Sequence, residues 1–135
     1  MAILRVELVS PERIAYSGEA KMIIARTIEG DIAFLPGHVP FIGVLDTHVA
    51  RVLLDEGGEQ TIAVHQGFVE VSPADDNGDT LVTILSDVCE LGGDIDIDRA
   101  ERARVAAEEA IRSDAADVVA VAALRRAEAR LAAAA

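Results

Sequence analysis

Asp94-Ile95-Asp96-Ile97-Asp98-Arg99-Ala100, or DIDIDRA, admits three readings. Carboxylates at alternate positions followed by an arginine suit a metal-binding loop, the end of a β-strand or the first turn of a helix. Each reading implies a different fold for the last third of the chain, and the flanking sequence chooses among them.

Upstream, the chain reads as short strands. ILRVELVS (3–10), KMIIART (21–27), HVARVLL (48–54), QTIAVH (60–65), GFVEVS (67–72) and TLVTILSDV (80–88) are rich in Val, Ile and Thr with partial alternation, the pattern of half-buried strands. Turn chemistry separates them at Ser10-Pro11, Ser17-Gly18, Glu29-Gly30-Asp31, Glu56-Gly57-Gly58 and Asp76-Asn77-Gly78-Asp79. Strands this short and evenly spaced predict an antiparallel sandwich or flattened barrel. No helical period precedes residue 94.

Downstream of Gly92-Gly93 the period changes. Residues 96–112 set Ile97, Ala100, Ala103, Ala107, Ala110 and Ile111 along one stripe among Arg and Glu, which predicts an amphipathic helix. Ser113-Asp114 ends it, and Asp114-Ala-Ala-Asp117 predicts an N-cap with a second acid in the first turn. A second helix then runs to about Leu131, with Val118, Val121, Leu124 and Leu131 on one side. A join of so few residues makes the pair an antiparallel hairpin. Its stripes are mostly Ala and Val, which bury little at roughly 25 cal/mol per Å², so the hairpin is expected to be weakly held and able to switch. Residues 1–90 are thus expected to form the β domain and 94–135 the helical one.

Composition narrows the function. With 135 residues and 51% hydrophobic content the chain makes one domain, or one with an appendage. Three Phe and Tyr16 are its only aromatics, so the core is aliphatic. The net charge of −12 argues against nucleic acid, whose phosphates need a basic face. Charge is also uneven: residues 1–93 carry 5 basic and 15 acidic side chains, whereas 94–135 carry 7 arginines against 9 acids. Arginine is the side chain suited to carboxylate and phosphate forks. A single cysteine, Cys89, excludes an internal disulfide, fits a reducing compartment and reads as a buried thiol. No signal peptide and no apolar run of membrane-spanning length is seen.

Metal readings fail on spacing. Counted from Asp75, a calcium loop would need glycine at Thr80 and glutamate at Ser86; counted from Asp94, it would need them at Arg99 and Val105. Asn77-Gly78 is better read as a hairpin turn. His38, His48 and His65 show no paired spacing, and one cysteine builds no zinc set. No nucleophile motif or phosphate-binding glycine loop is present, so nothing supports catalysis by this chain alone. Residues 30–41, GDIAFLPGHVPF, combine two prolines with Gly37; so rigid a segment suits either a preorganised contact loop or an ordinary connection. Arg126 and Arg130 share a helix face. With Arg99 in the first turn of the other helix, a closed hairpin would bring three guanidinium groups to one anion. The alternative is a solvated face paired with Glu101, Glu108 and Glu128.

The motifs together resemble the epsilon subunit family of the proton-translocating (F-type) ATP synthase. Residues 30–41 are similar to that family's G-[ED]-x-G-x-L-P-G-H-x-P loop, departing at Ala33. Val9-Ser10-Pro11 and Gly67-Phe-Val-Glu-Val71 are similarly placed, and the likeness runs through the helices. The resemblance implies a β-sandwich of about ten strands followed by a two-helix hairpin. It implies a non-catalytic central-stalk subunit at the cytoplasmic face of the bacterial plasma membrane, peripheral and held there by its complex. The sandwich would dock on the gamma subunit and the polar loops of the c-ring, with Asp31 facing the ring and His38 facing gamma. The extended hairpin would approach an acidic segment of a beta subunit and inhibit ATP hydrolysis.

DIDIDRA then falls into place as a helix start. Ile95-Asp96-Ile97-Asp98-Arg99-Ala100 resembles the I/L-D-x-x-R-A motif with which some of these subunits bind ATP. The resemblance implies Asp96 as cap and polar contact to adenine, and Ile95 and Ala100 lining the base. Arg99, Arg126 and Arg130 would meet the phosphates, and Glu90 would approach the base edge. ATP is then a regulatory ligand and no cofactor is obligatory. A further family arginine falls on Ala106, with Arg102 or Arg104 as partial substitutes, so weakened binding is expected. A free-standing ATP-binding module is the alternative, and a small carboxylate hydrolase a more distant one.

Overall fold

Eight strands precede two helices in a computed structural model that describes residues 2–135. The strands are β1 (Leu4–Ser10), β2 (Arg13–Ala20), β3 (Met22–Thr27), β4 (Gly30–Phe34), β5 (Phe41–Leu53), β6 (Glu59–Val71), β7 (Thr80–Leu85) and β8 (Cys89–Leu91). A short 3₁₀ turn at Gly92–Asp94 leads into α1 (Ile97–Ser113), and α2 (Val118–Ala134) completes the chain. The strands pair in the order β2-β1-β7-β6-β5-β3-β4, with β8 added to β6. All pairings are antiparallel except β1 with β7.

The long β5–β6 hairpin makes this one ladder a sandwich. Its register is constant from Phe41↔Val71 to Leu53↔Glu59, interrupted where Asp46 and Gln66 do not pair. Even so, the inward-facing positions change parity along it. Leu45 is buried on β5 and then Ala50 and Val52; Ile62 and Val64 are buried on β6 and then Val69 and Val71. The change falls where Gln66 takes φ 75° and Gly67 φ 144°. A residue with positive φ turns the strand's pleat over, so each end of the hairpin aims its side chains into the same core. This is also why eight strands appear and not about ten: β5 and β6 each serve both layers.

Leu4, Val6 and Leu8 of β1, Val82 and Ile84 of β7, Ile23 and Phe34 close that core, all fully buried. The aliphatic core expected from composition is what forms. Ser17-Gly18, read above as a turn, lies inside β2, paired with Glu7 and Val6 of β1, whereas the turn read at Ser10-Pro11 forms at Pro11 and Glu12. A Cβ at Gly18 would lie 3.1 Å from the Tyr16 hydroxyl, so glycine fits there with least adjustment.

Both helices are capped by the acids that precede them. Asp96 Oδ1 accepts the Arg99 N–H at 3.0 Å, and Asp117 Oδ1 accepts the Ala120 N–H at 3.0 Å. Asp114 closes α1, and its carboxylate takes the Ala116 N–H. The helices form a hairpin that lies on the outer face of β5 and β6, with α2 against the sheet and α1 against α2. Its buried positions are Ala100, Ala107, Ala120, Ala127, Ala129 and Ala133. Ile97, Val118 and Val121, expected on the facing stripes, are exposed. The buried positions of both helices are thus all alanines, with Ile111, Leu124 and Leu131 partly buried beside them.

Candidate functional site

The start of α1, the end of α2 and strand β8 meet at one seam. Ile95 is 8% exposed and packs with Ala63 and Ala133, which fixes the first turn of α1 against the sandwich. Gly92 is buried beside Thr61 and the Ala133 carbonyl, and Thr61 Oγ1 donates to that carbonyl at 2.6 Å. Arg130 Nε donates to Glu90 Oε1 at 2.6 Å, and His65 Nε2 lies 3.0 Å from the same oxygen. Further along, Arg125 of α2 reaches Asp46 of β5 at 2.7 Å.

Between these contacts lies a cleft of ≈ 130 Å³ lined by Glu90, Asp96, Arg99, Ala100, Ala103 and Arg130. Five residues singled out from sequence therefore line one cleft. Ile95 is turned into the apolar contact below it, and Arg126 is half-buried on α2 outside the lining. The side chain of Arg104 is held between Glu101 and Glu108 on its own helix, and Arg102 and Ala106 are exposed. No further guanidinium is thus directed at the cleft from residues 102–106.

The cleft presents two guanidinium groups, two carboxylates and a helix start, with Arg130 already bound to Glu90 and the Arg99 N–H to Asp96; donors and acceptors of this kind are what an anion carrying hydrogen-bond donors would need. Ligand pockets commonly span about 300–1,000 Å³, so a nucleotide would lie partly outside this one. Burial pushes the Glu90 carboxyl up, but the hydrogen bonds from Arg130 and His65 outweigh this and hold it below the usual range. Burial holds the His65 imidazole below its ordinary value; Glu90 opposes this shift, while Arg130 and Arg126 add to it.

Asp31 and His38 sit apart from the seam and in different surroundings. Asp31, exposed on β4, is bound 2.7 Å from Arg26, whose hydrogen bond holds its carboxyl below the usual range. The His38 ring packs edge-on to Phe34 and Phe41, with centroids 5.0 and 6.2 Å away. The loop carrying His38 is anchored where the Gly37 N–H, at φ 87°, donates to buried Thr80 at 2.8 Å, while Asp31 is held in β4 opposite Arg26 of β3. Cys89 is half-buried, and burial raises its thiol pKa.

Sequence reasoning did not find His65, Thr61, Gly92, Asp46 or Arg125. It also did not find a solvent-exposed apolar row across the other end of the sandwich. There Val44 stands opposite Phe68 and Phe68 opposite Leu85, and the Ile28 N–H binds the Val44 carbonyl. All four side chains are more than two-fifths exposed. Exposed apolar positions in register mark a contact surface.

The chain is thus a β-sandwich with an exposed apolar row on one surface and a helical arm folded on another. Residues 3–92 match the family described as ATP synthase, Delta/Epsilon chain, beta-sandwich domain. Over 130 residues the chain is 44% identical to the ATP synthase epsilon chain of Streptomyces griseus, covering 96% of this chain and 94% of that one. It is 45% identical over 114 residues to the epsilon chain of Thermobifida fusca, covering 83% and 80%. Its fold matches a chain of the Euglena gracilis mitochondrial ATP synthase solved by cryo-EM (OSCP/F1/c-ring, rotational state 1), with TM-score 0.78, 23% identity and coverage of 99% and 82%. The chain belongs to the ATP synthase epsilon chains, non-catalytic subunits of the central stalk of that complex.

Proposed function

We propose that the sandwich docks on the gamma subunit and the polar loops of the c-ring, so that the chain turns with the stalk and helps couple proton flow to ATP synthesis. The hairpin restrains ATP hydrolysis when it is released and extended along gamma. Its arginines then approach an acidic segment of a beta subunit. The complex holds the chain at the cytoplasmic face of the plasma membrane; among the described residues no helix is long and apolar enough to cross a membrane. The apolar row around Phe68 supports a protein contact, and Asp31 held in β4 with His38 on the anchored loop that follows supports one that does not yield under torque.

The observation that carries the regulatory reading is the seat of the hairpin. α2 rests on the sheet through alanines and a few polar links. Methyl groups remove little apolar area from water, and the Arg125–Asp46 pair, whose arginine is half exposed, is worth about 0–1 kcal/mol. A seat so held opens readily, and a ligand with modest differential affinity shifts it.

ATP is the ligand proposed to hold the hairpin closed, bound by Glu90, Asp96, Arg99, Ala100 and Arg130, with Ile95 and Arg126 flanking. It acts as a regulatory ligand, not an obligatory cofactor. With Ala106 in place of a cation and Arg104 engaged elsewhere, binding is expected to be weaker by about 1–3 kcal/mol than with a further charged hydrogen bond. Calorimetric titration of the whole chain with ATP tests this. Saturable binding that is weakened in Arg99→Ala supports it; absence of binding at millimolar ATP overturns it.

A further inference from the structure

His65 is a buried imidazole directly beneath α2. Thr61, Ala63 and His65 share the face of β6 that looks toward the hairpin: Thr61 binds the Ala133 carbonyl, and Ala63 packs on Ala133. The His65 side chain is 3% exposed. Its Nε2 lies 3.0 Å from Glu90 Oε1, the oxygen that also receives Arg130. An ionised carboxylate only accepts, so Nε2 carries the proton and Nδ1 is left as an acceptor. Among the described residues, Nδ1 is the one buried side-chain nitrogen or oxygen with no hydrogen-bond partner.

We propose that His65 is a positioning residue of the seam which makes seating of the hairpin depend on pH. In the neutral ring Nε2–H fixes the carboxylate that Arg130 grips, and the cost is one idle lone pair at Nδ1. A proton added at Nδ1 would be a second, charged donor with no acceptor, in a site facing two arginines. The charged groups around the ring are Glu90 from β8 and Arg126 and Arg130 from α2; Glu90 in turn faces Asp96 and Arg99 of α1 across the cleft.

Lifting α2 would expose the ring and take both arginines away, leaving Glu90 beside it. The released state therefore holds a proton on His65 more readily than the seated one. Burial first, then Arg130 and Arg126, keep the seated pKa below the ordinary value of 6.5. A group depressed in this way supports the seated state above its ordinary pKa, and that support fades as pH falls below it. Glu90 and Asp46 favour seating in the same direction, but they titrate below ordinary values of 4.5 and 3.8, so the window just below 6.5 belongs to histidine. Acid thus releases the hairpin. This deepens the regulatory reading above and rests on the hairpin being a mobile arm.

The test is amide exchange of α2 in the whole chain between pH 7.5 and 5, corrected for the intrinsic pH dependence of exchange. Protection of α2 should fall several-fold on acidification, while β1 and β7 stay protected. His65→Gln offers Glu90 a donor that does not titrate, and should keep α2 protection constant over the same range. His48, also buried, remains in that variant, so an equal acid response in both proteins would overturn the assignment. So would a flat wild-type profile. Should His65→Gln misfold, a ring-proton NMR titration of the wild type decides. His65 must titrate in step with α2 amide shifts, and independent titration rejects the link. Adding ATP at pH 7.5 keeps the two ideas distinguishable, because failure of ATP to protect α2 removes the nucleotide reading and leaves the acid response intact.

Discussion

A single methyl group should unseat the hairpin if it is added at Gly92. A Cβ there would overlap Thr61 Oγ1 and the Ala133 carbonyl, whereas one at Gly93 meets nothing. Gly92→Ala is therefore expected to weaken seating by about 1–3 kcal/mol, the usual cost of forcing a group into filled space. Gly93→Ala should be close to neutral by the same α2 amide-exchange measurement. The cap of α1 gives a smaller effect: Asp96→Ala removes the acceptor of the Arg99 N–H and should cost about 1 kcal/mol in thermal unfolding of the helical part. Asp96 was legible in sequence because a cap is a local relation between residues three apart. Gly92 was not, since the atoms that demand a glycine there belong to residues 61 and 133. The His65–Glu90–Arg130 trio was hidden for the same reason, its members lying 25 and 40 residues apart. Ser17-Gly18 shows the converse error: turn-forming residues sit in mid-strand, held there by pairing of Ser17 with Glu7 and Gly18 with Val6 of β1.

At the level of elements, the period of the sequence located both helices within one to three residues, and the alternation of Val, Ile and Thr located β1, β3, β6, β7 and the second part of β5, but not β2 or β4. Two further things escaped it. The first is that β5 and β6 pass from one layer to the other, which depends on positive φ at Gln66, a residue with no glycine signature. The second is which side of α2 is inward. Large apolar residues ordinarily mark the buried face, yet Val118 is 77% exposed and Ala127 fully buried. The buried faces of the helices are set by alanines and not by the larger apolar residues. The same packing limits how firmly α2 can be held. In a double-mutant cycle, Arg125→Ala with Asp46→Ala should give a coupling under about 1 kcal/mol, because the arginine is largely in water. A coupling of several kcal/mol would mean that the seat is an ion-pair lock and not a light contact.

Across the whole molecule, the cleft borders β6 at Ala63 and His65, whereas the apolar row crosses it at Phe68 and shares no lining residue with the cleft. Phe68→Ser tests the row. The side chain is 52% exposed, so folding stability should change by no more than about 0.5 kcal/mol, while retention of the chain by isolated gamma subunit should fall. Loss of stability with unchanged retention would place the partner elsewhere. The most direct measurement of the central claim compares ATP hydrolysis by the complex assembled with the whole chain and with residues 1–93. The hairpin reading predicts that the shortened chain still assembles and that hydrolysis rises once the helices are gone. Equal hydrolysis by the two complexes would contradict it.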